Sequence, residues 1–166
     1  NWSLYLLAKH PTISAEMESE MDRVLGQRRV KVTDLEALPF VRQVIQESLR
    51  LFPPAWIVVR KAKKECALGT FRIPQGSYVF ISPFAMHRHP KYWNAPDAFD
   101  PSRFAPEQAP INKYAYFPFL RGQRQCIGER FAEMELALVL TTLFQNVRFE
   151  LSPDYTEEIE PSVTLR

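Results

Sequence analysis

Between Pro83 and Pro118 the chain holds seven of its fourteen prolines and almost no hydrophobic periodicity. Proline lacks the backbone N–H that helices and strand ladders use, so this stretch cannot be one long helix or a central strand. Aperiodic segments longer than ~15 residues are uncommon in compact domains and are usually functional where they occur. A disordered linker would be poor in aromatic residues. Here Phe84, Tyr92, Trp93, Phe99, Phe104, Tyr114, Tyr116, Phe117 and Phe119 fall within or beside the segment. An ordered, packed meander is therefore expected, and regular elements on either side must hold it.

Helical signals fill the first fifty residues. "NWSLYLLAKHP" reads as the end of a helix halted by Pro11, which suggests a fragment of a longer polypeptide. Thr12 or Ser14 is expected to cap a charged helix that ends near Gly26. After Asp34, the segment "LPFVRQVIQESLRLFPP" places Val41, Val44, Ile45, Ser48, Leu49 and Phe52 on one stripe at i, i+3, i+4 spacing. Pro39 suits a first helical position, and Pro53-Pro54 ends the helix. "WIVVRK" and "FRIPQGSYVFISP" read as short strands, the latter as two around a Pro74-Gln75-Gly76 turn. Beyond the meander, "IGERFAEMELALVLTTLFQN" puts Ile127, Phe131, Met134 and Leu138 on one face and Leu136, Leu140 and Leu143 on another, so a deeply buried helix is expected. Glu129, Arg130 and Glu133 mark its wet side, and "VRFEL" and "SVTLR" read as closing strands.

Composition narrows the function classes. At 166 residues and 46% hydrophobic, the chain can build one core. A net charge of +2 gives nucleic-acid binding no support. No apolar run approaches the ~18 residues that span a bilayer; "LALVL" stops at five. The two cysteines, Cys66 and Cys126, cannot form a disulfide framework.

Free cysteine is most often an inert core residue, and Cys66 in "KKECALG" keeps that reading. Cys126 differs. It opens a long helix, where the macrodipole favours an anion, and Arg124 and Arg121 stand close by. Gly122 and Gly128 let the backbone turn and approach a large flat partner. A thiolate nucleophile would want a paired histidine, and His10, His87 and His89 show no such signature. Zinc fits poorly, because two cysteines and His87-x-His89 match no usual ligand spacing. A single thiolate on an iron with four other ligands, as in haem, remains.

"FLRGQRQCIG" fits F-x-x-G-x-R-x-C-x-G, and the chain thereby resembles the cytochrome P-450 family of haem-thiolate monooxygenases. "ESLR" matches that family's E-x-x-R helix, and "FDPSRF" matches the segment supplying a second arginine, Arg103. The resemblance implies a mainly α fold with small β-sheets, residues 1–166 being the C-terminal haem-binding portion of one domain. It implies that Cys126 is the axial ligand of haem b (iron protoporphyrin IX), donating electron density to the iron. Arg124 and Arg60 then face the propionates, for which guanidinium is a planar partner. Phe119 packs near the thiolate, and Glu47, Arg50 and Arg103 form a buried network bracing the loop. Ala55, Trp56, Ile57 and Val58 would line an apolar substrate pocket, although ordinary core packing explains each equally well. Leu120, Arg121 and Gln123 depart from commoner small, glycine or proline residues, and Ser102 stands where glutamate is frequent.

The implied activity is insertion of one oxygen atom from O2 into a small hydrophobic substrate. Electrons would come from NAD(P)H through a ferredoxin, flavodoxin or reductase domain, and Lys113, Arg121 and Arg130 offer a docking patch for an acidic donor. The family's acid–alcohol pair for O2 activation is expected upstream of Asn1, so these 166 residues alone should bind haem poorly. A peroxygenase or isomerase on the same fold, or a non-catalytic haem sensor, are the alternatives. Localisation stays open: cytoplasmic if soluble, with any membrane anchor expected upstream.

Overall fold

The computed structural model of the chain describes residues 1–108, 111–156, 158–162 and 164–165. Helix α1 (Trp2–Lys9) and helix α2 (Pro11–Leu25) meet at His10, with Pro11 ending one and starting the other. Neither Thr12 nor Ser14 caps α2: Pro11 already occupies the first turn, and the Ser14 hydroxyl instead donates to Glu18 at 3.2 Å. A 3-10 helix (Val32–Ala37) leads into α3 (Pro39–Leu51). Proline at the first position gives up one orphan N–H. The next two are satisfied from a different helix, because the buried Glu20 carboxylate of α2 accepts from Phe40 N and Val41 N at 3.0 Å. An acid at a helix N-terminus also complements the macrodipole. The predicted stripe of α3 is buried in full, and Leu6, Leu7, Met17, Met21 and Leu25 close over it.

Four short strands follow. β1 (Val58–Lys61) pairs antiparallel with β4 (Tyr78–Ile81), and β2 (Cys66–Leu68) pairs with β3 (Phe71–Ile73). The two strands flanking Pro74-Gln75-Gly76 are therefore not partners of one another; each reaches back to an earlier strand. Cys66 is exposed rather than buried, since a two-stranded hairpin with no second layer leaves both faces open.

The meander is ordered. Short helix α4 (Pro83–Met86), capped by Ser82, and a 3-10 helix (Pro101–Phe104), capped by Asp100, punctuate it. Trp93, Phe99, Ala115 and Phe117 are buried. Phe104 meets Tyr116 edge-on at 4.9 Å, and Trp93 lies 6.2 Å from Phe104. A further 3-10 turn (Gly122–Arg124) precedes α5 (Glu129–Phe144).

Helix α5 departs most from expectation. Only Leu140 and Thr141 are fully buried, while Ile127, Phe131, Leu136 and Val139 are exposed. The helix packs on α3 and on the 3-10 helix at Val32–Ala37, so one side is covered and the other apolar arc faces no described element. Ile127 precedes the helix instead of belonging to it. "VRFEL" forms no strand, there being no described partner for its ladder, and the tail makes only an isolated bridge between Pro161 and Leu165. Val163 and Arg166 of the other expected strand lie outside the described residues. The tail is nonetheless tied down: Leu165 N donates to Pro54 O at 3.1 Å, and Trp2 Nε1 donates to Leu165 O at 3.2 Å.

The capping of α3 by Glu20 generates a test. Glu20→Ala is expected to lower unfolding stability by roughly 1–2 kcal/mol, as loss of a helix cap does. Chemical denaturation of the complete polypeptide checks it, and Glu20→Gln, which keeps an acceptor, should recover part of the loss.

Candidate functional site

The E-x-x-R spacing puts Glu47 and Arg50 one turn apart on the buried face of α3, and neither side chain reaches solvent. Their ion pair is bidentate: Arg50 Nε donates to Glu47 Oε2 at 2.6 Å and Nη2 donates to Oε1 at 2.8 Å. Arg103, from the 3-10 helix of the meander, adds its Nε to Glu47 Oε1 at 3.2 Å, and Asp100 N donates to the same oxygen at 2.9 Å. The remaining Arg50 donors go to meander carbonyls, His87 O at 2.8 Å, Pro96 O at 2.6 Å and Ala98 O at 3.0 Å. The guanidinium also lies over Trp93, 5.0 Å from its ring centroid. A buried ion pair offsets its desolvation only when its other hydrogen-bonding groups are satisfied. Here the meander backbone supplies those partners, so a segment without a long helix or a sheet of its own is organised by one carboxylate and two guanidinium groups.

Two neighbours complete the end of α3. A helix leaves its last carbonyls unpaired. Arg88 Nη1 donates to Leu51 O at 2.6 Å, and His87 Nδ1 lies 3.1 Å from Arg50 O. On the other edge of the His87 ring, Phe117 N donates to Nε2 at 3.0 Å. That contact makes Nε2 the acceptor, so Nδ1 carries the proton and donates. Burial, with the Arg50 and Arg88 charges nearby, pushes the His87 pKa down to about 4. The side chain is neutral at pH 7. From the sequence alone, His87 stands only as a candidate base or metal ligand. Its actual contacts join segments 37 and 30 residues away, which no local pattern announces.

From Phe117 the chain enters the cysteine loop. Leu120 N donates to Phe117 O at 2.9 Å, and Cys126 N donates to Phe119 O at 2.9 Å. Leu120 adopts φ +64° and Gly122 φ +80°, both in the left-handed region. Glycine meets that requirement freely, whereas leucine is strained there. Gly128, at φ −88°, needs no glycine for its backbone, and an added Cβ would meet only Cys126 Sγ, at 3.9 Å. Phe119 is half-buried against the main core. Cys126 itself is exposed, two residues before the N-cap of α5. Glu129 in the first turn of α5 accepts from Arg121 Nη1 at 3.3 Å and from Gln125 Nε2, so two loop residues before the cysteine are tied to the helix that follows it.

A cavity of about 630 Å³ opens beside this loop. Val58, Ile81, Met86, Phe117 and Leu120 make its wall apolar, and Arg60, Arg124, Arg121 and Lys113 bring four cations to it. Arg60 and Arg124 have no carboxylate partner among the described residues. Arg121 Nε is buried without a hydrogen-bond acceptor. Apolar walls with surplus guanidinium donors suit a flat hydrophobic group that carries carboxylates, which is the chemistry of a haem and its propionates. Of the expected pocket residues only Val58 lines this cavity; Trp56 turns to the core and donates to Ser162 O at 2.9 Å, and Ala55 and Ile57 are half-buried. Arg130 lines a different cavity, with Arg42 and Glu133, so it does not join Lys113 and Arg121.

A sequence model of the family described as Cytochrome P450 matches residues 1–165. The chain belongs to the cytochrome P450 family. It is 37% identical over 165 residues to cyclooctatin synthase of Streptomyces melanosporofaciens, covering 99% of this chain and 36% of that protein. It is 39% identical over 153 residues to cytochrome P450 4V2 of Homo sapiens, covering 90% of this chain and 29% of that protein. Identity to the putative cytochrome P450 132 of Mycobacterium tuberculosis is 39% over 166 residues, 100% of this chain and 36% of that protein. The chain thus spans about a third of the length of these curated relatives. Membership implies haem as the cofactor, in keeping with the P450-type loop and the cationic cavity. No described helix is long and apolar enough to cross a membrane.

Two measurements check the site. Glu47→Ala leaves two arginines without their shared buried anion, so it is expected to destabilise by roughly 3–5 kcal/mol and to prevent haem retention in the complete P450. A haem-replete, normally stable variant would contradict the brace. His87 holds a folded-state pKa below the unfolded value of 6.5. Its contribution is intact above pH ~6.5 and is lost as pH falls towards ~4, because only the unfolded chain takes up the proton in that window. The full difference amounts to roughly 3 kcal/mol, and denaturation curves across that pH range should lose this slope in a His87→Gln variant.

Proposed function

We propose that this chain is the haem-holding part of a P450 monooxygenase, with Cys126 as the axial thiolate ligand. The observation that carries the proposal is the convergence of Arg60, on β1, and Arg124, on the cysteine loop, upon one apolar cavity without carboxylates of their own. Both guanidinium groups would bind the haem propionates, with Lys113 and Arg121 adding positive charge at the same mouth. Phe119 would pack beside the sulfur and Leu120 against the macrocycle edge. Gly122 supplies the positive-φ turn between them and Cys126. Bound haem with a thiolate ligand supplies O2 activation, the thiolate favouring O–O cleavage. The protein's part is to hold that sulfur in place, to pair the propionates and to keep the surrounding wall apolar.

The reaction this reading supports is insertion of one atom of O2 into a small hydrophobic substrate, with Val58 contributing to the apolar wall. Electrons from NAD(P)H would enter through a ferredoxin, flavodoxin or reductase domain docked near the cysteine loop, where Arg121 and Gln125 meet Glu129.

The decisive experiment is ligand exchange in the complete polypeptide. Cys126→Ser is expected to abolish the thiolate-type Soret band of the reduced CO complex and all turnover; a serine variant that kept turnover would overturn the assignment. Arg60→Leu combined with Arg124→Leu should lower haem occupancy at least tenfold, read from the haem-to-protein absorbance ratio, with Cys126 untouched.

A further inference from the structure

We infer that His87 is a positioning residue for the cysteine loop, coupling the Glu47–Arg50 brace to the backbone that carries Cys126. The ring is fully buried and both nitrogens are used, one on the end of α3 and one on the segment that leads into the cysteine loop, beside the 3.1 Å hydrogen bond from Tyr116 Oη to Gln46 O that joins the same two segments. Nδ1–H donates to the carbonyl of Arg50, while the Arg50 side chain donates back to the carbonyl of His87. This reciprocal pair fixes His87 to the end of α3 in position and in rotation. The opposite edge then presents Nε2 to the N–H of Phe117 at 3.0 Å. Tyr116 and Phe117 pack on the ring at centroid distances of 5.4 and 5.3 Å, which removes its freedom to tilt.

What lies beyond Phe117 gives the contact its reach. The carbonyl of Phe117 holds Leu120 N in the left-handed turn, and the carbonyl of Phe119 holds Cys126 N. Three hydrogen bonds in series thus connect an imidazole in the meander to the backbone of the cysteine. Each is short, and each joins backbone or ring atoms with few torsions between them, so displacement at one end is transmitted to the other. Only a neutral ring can serve, because a protonated Nε2 would face the Phe117 N–H donor to donor. No other residue type offers a donor and an acceptor at this separation on a rigid plane. An asparagine reproduces the donor near Nδ1 and a glutamine the acceptor near Nε2.

The inference rests on the haem-thiolate reading for its spectroscopic readout and not for its structural one. In the complete haem-loaded polypeptide, His87→Phe keeps a planar ring, slightly larger than imidazole, and removes both hydrogen bonds. It is expected to convert most of the reduced CO complex to a form without the thiolate-type Soret band. Backbone amide exchange at Phe117, Leu120 and Cys126 should accelerate at least tenfold, with amides of α1 and α2 unchanged. His87→Gln should restore the thiolate band and slow exchange at Phe117, whereas His87→Asn should not. If the phenylalanine variant fails to fold, the glutamine–asparagine comparison decides alone. Equal behaviour of those two, or uniform acceleration across the whole chain, would reduce His87 to general packing and overturn the inference. A wild-type protein lacking the thiolate band would refute the haem-thiolate reading instead, and amide exchange would still judge the coupling.

Discussion

Glu47 holds a carboxylate with no solvent around it, and its two oxygens receive four hydrogen bonds from Arg50, Arg103 and the backbone of Asp100. Buried charge is tolerable only in such company. Satisfying it recruits the meander: the same arginine that neutralises Glu47 also gathers the carbonyls of His87, Pro96 and Ala98. A proline-rich segment has few backbone donors with which to hold itself. Side-chain guanidinium groups replace the missing ladder, and the aromatic residues fill the space between. The cysteine loop inherits its position from this arrangement.

Local information fixed the helices well. The stripe from Val41 to Phe52, closed by Pro39 and Pro53, reads the same in sequence and in space because 3.6-residue periodicity is a property of the segment alone. The three-residue strand at Cys66 has no alternation and no flanking Pro-x-Gly turn like the one that marks Phe71–Ile73, so the sequence does not announce it. The cap on α3 escaped for another reason: Glu20 lies 20 residues before Phe40, and only the docking of α2 brings it there. Residues Glu47, Arg50 and Arg103 could be grouped only through family resemblance, because spacing alone cannot reveal a partner 56 residues distant.

The expectation for α5 failed instructively. Its sequence is apolar over most of its circumference, and burial was the natural inference from that. Yet composition states what a surface prefers, not what is available to cover it. Here α3 covers one side, and Phe131 and Val139 stay exposed on another. The chain spans about a third of the length of its curated relatives, so burial inferred from a helix's own residues is a statement about the whole protein rather than about this stretch.

Leu120 occupies a left-handed backbone conformation that L-residues with a branched side chain adopt at a disadvantage of roughly 1–2 kcal/mol. The hydrogen bonds through Phe117 O and Phe119 O, one at each end of the bend, offset that cost. The turn therefore depends on its two clasps more than a turn with glycine at that position would.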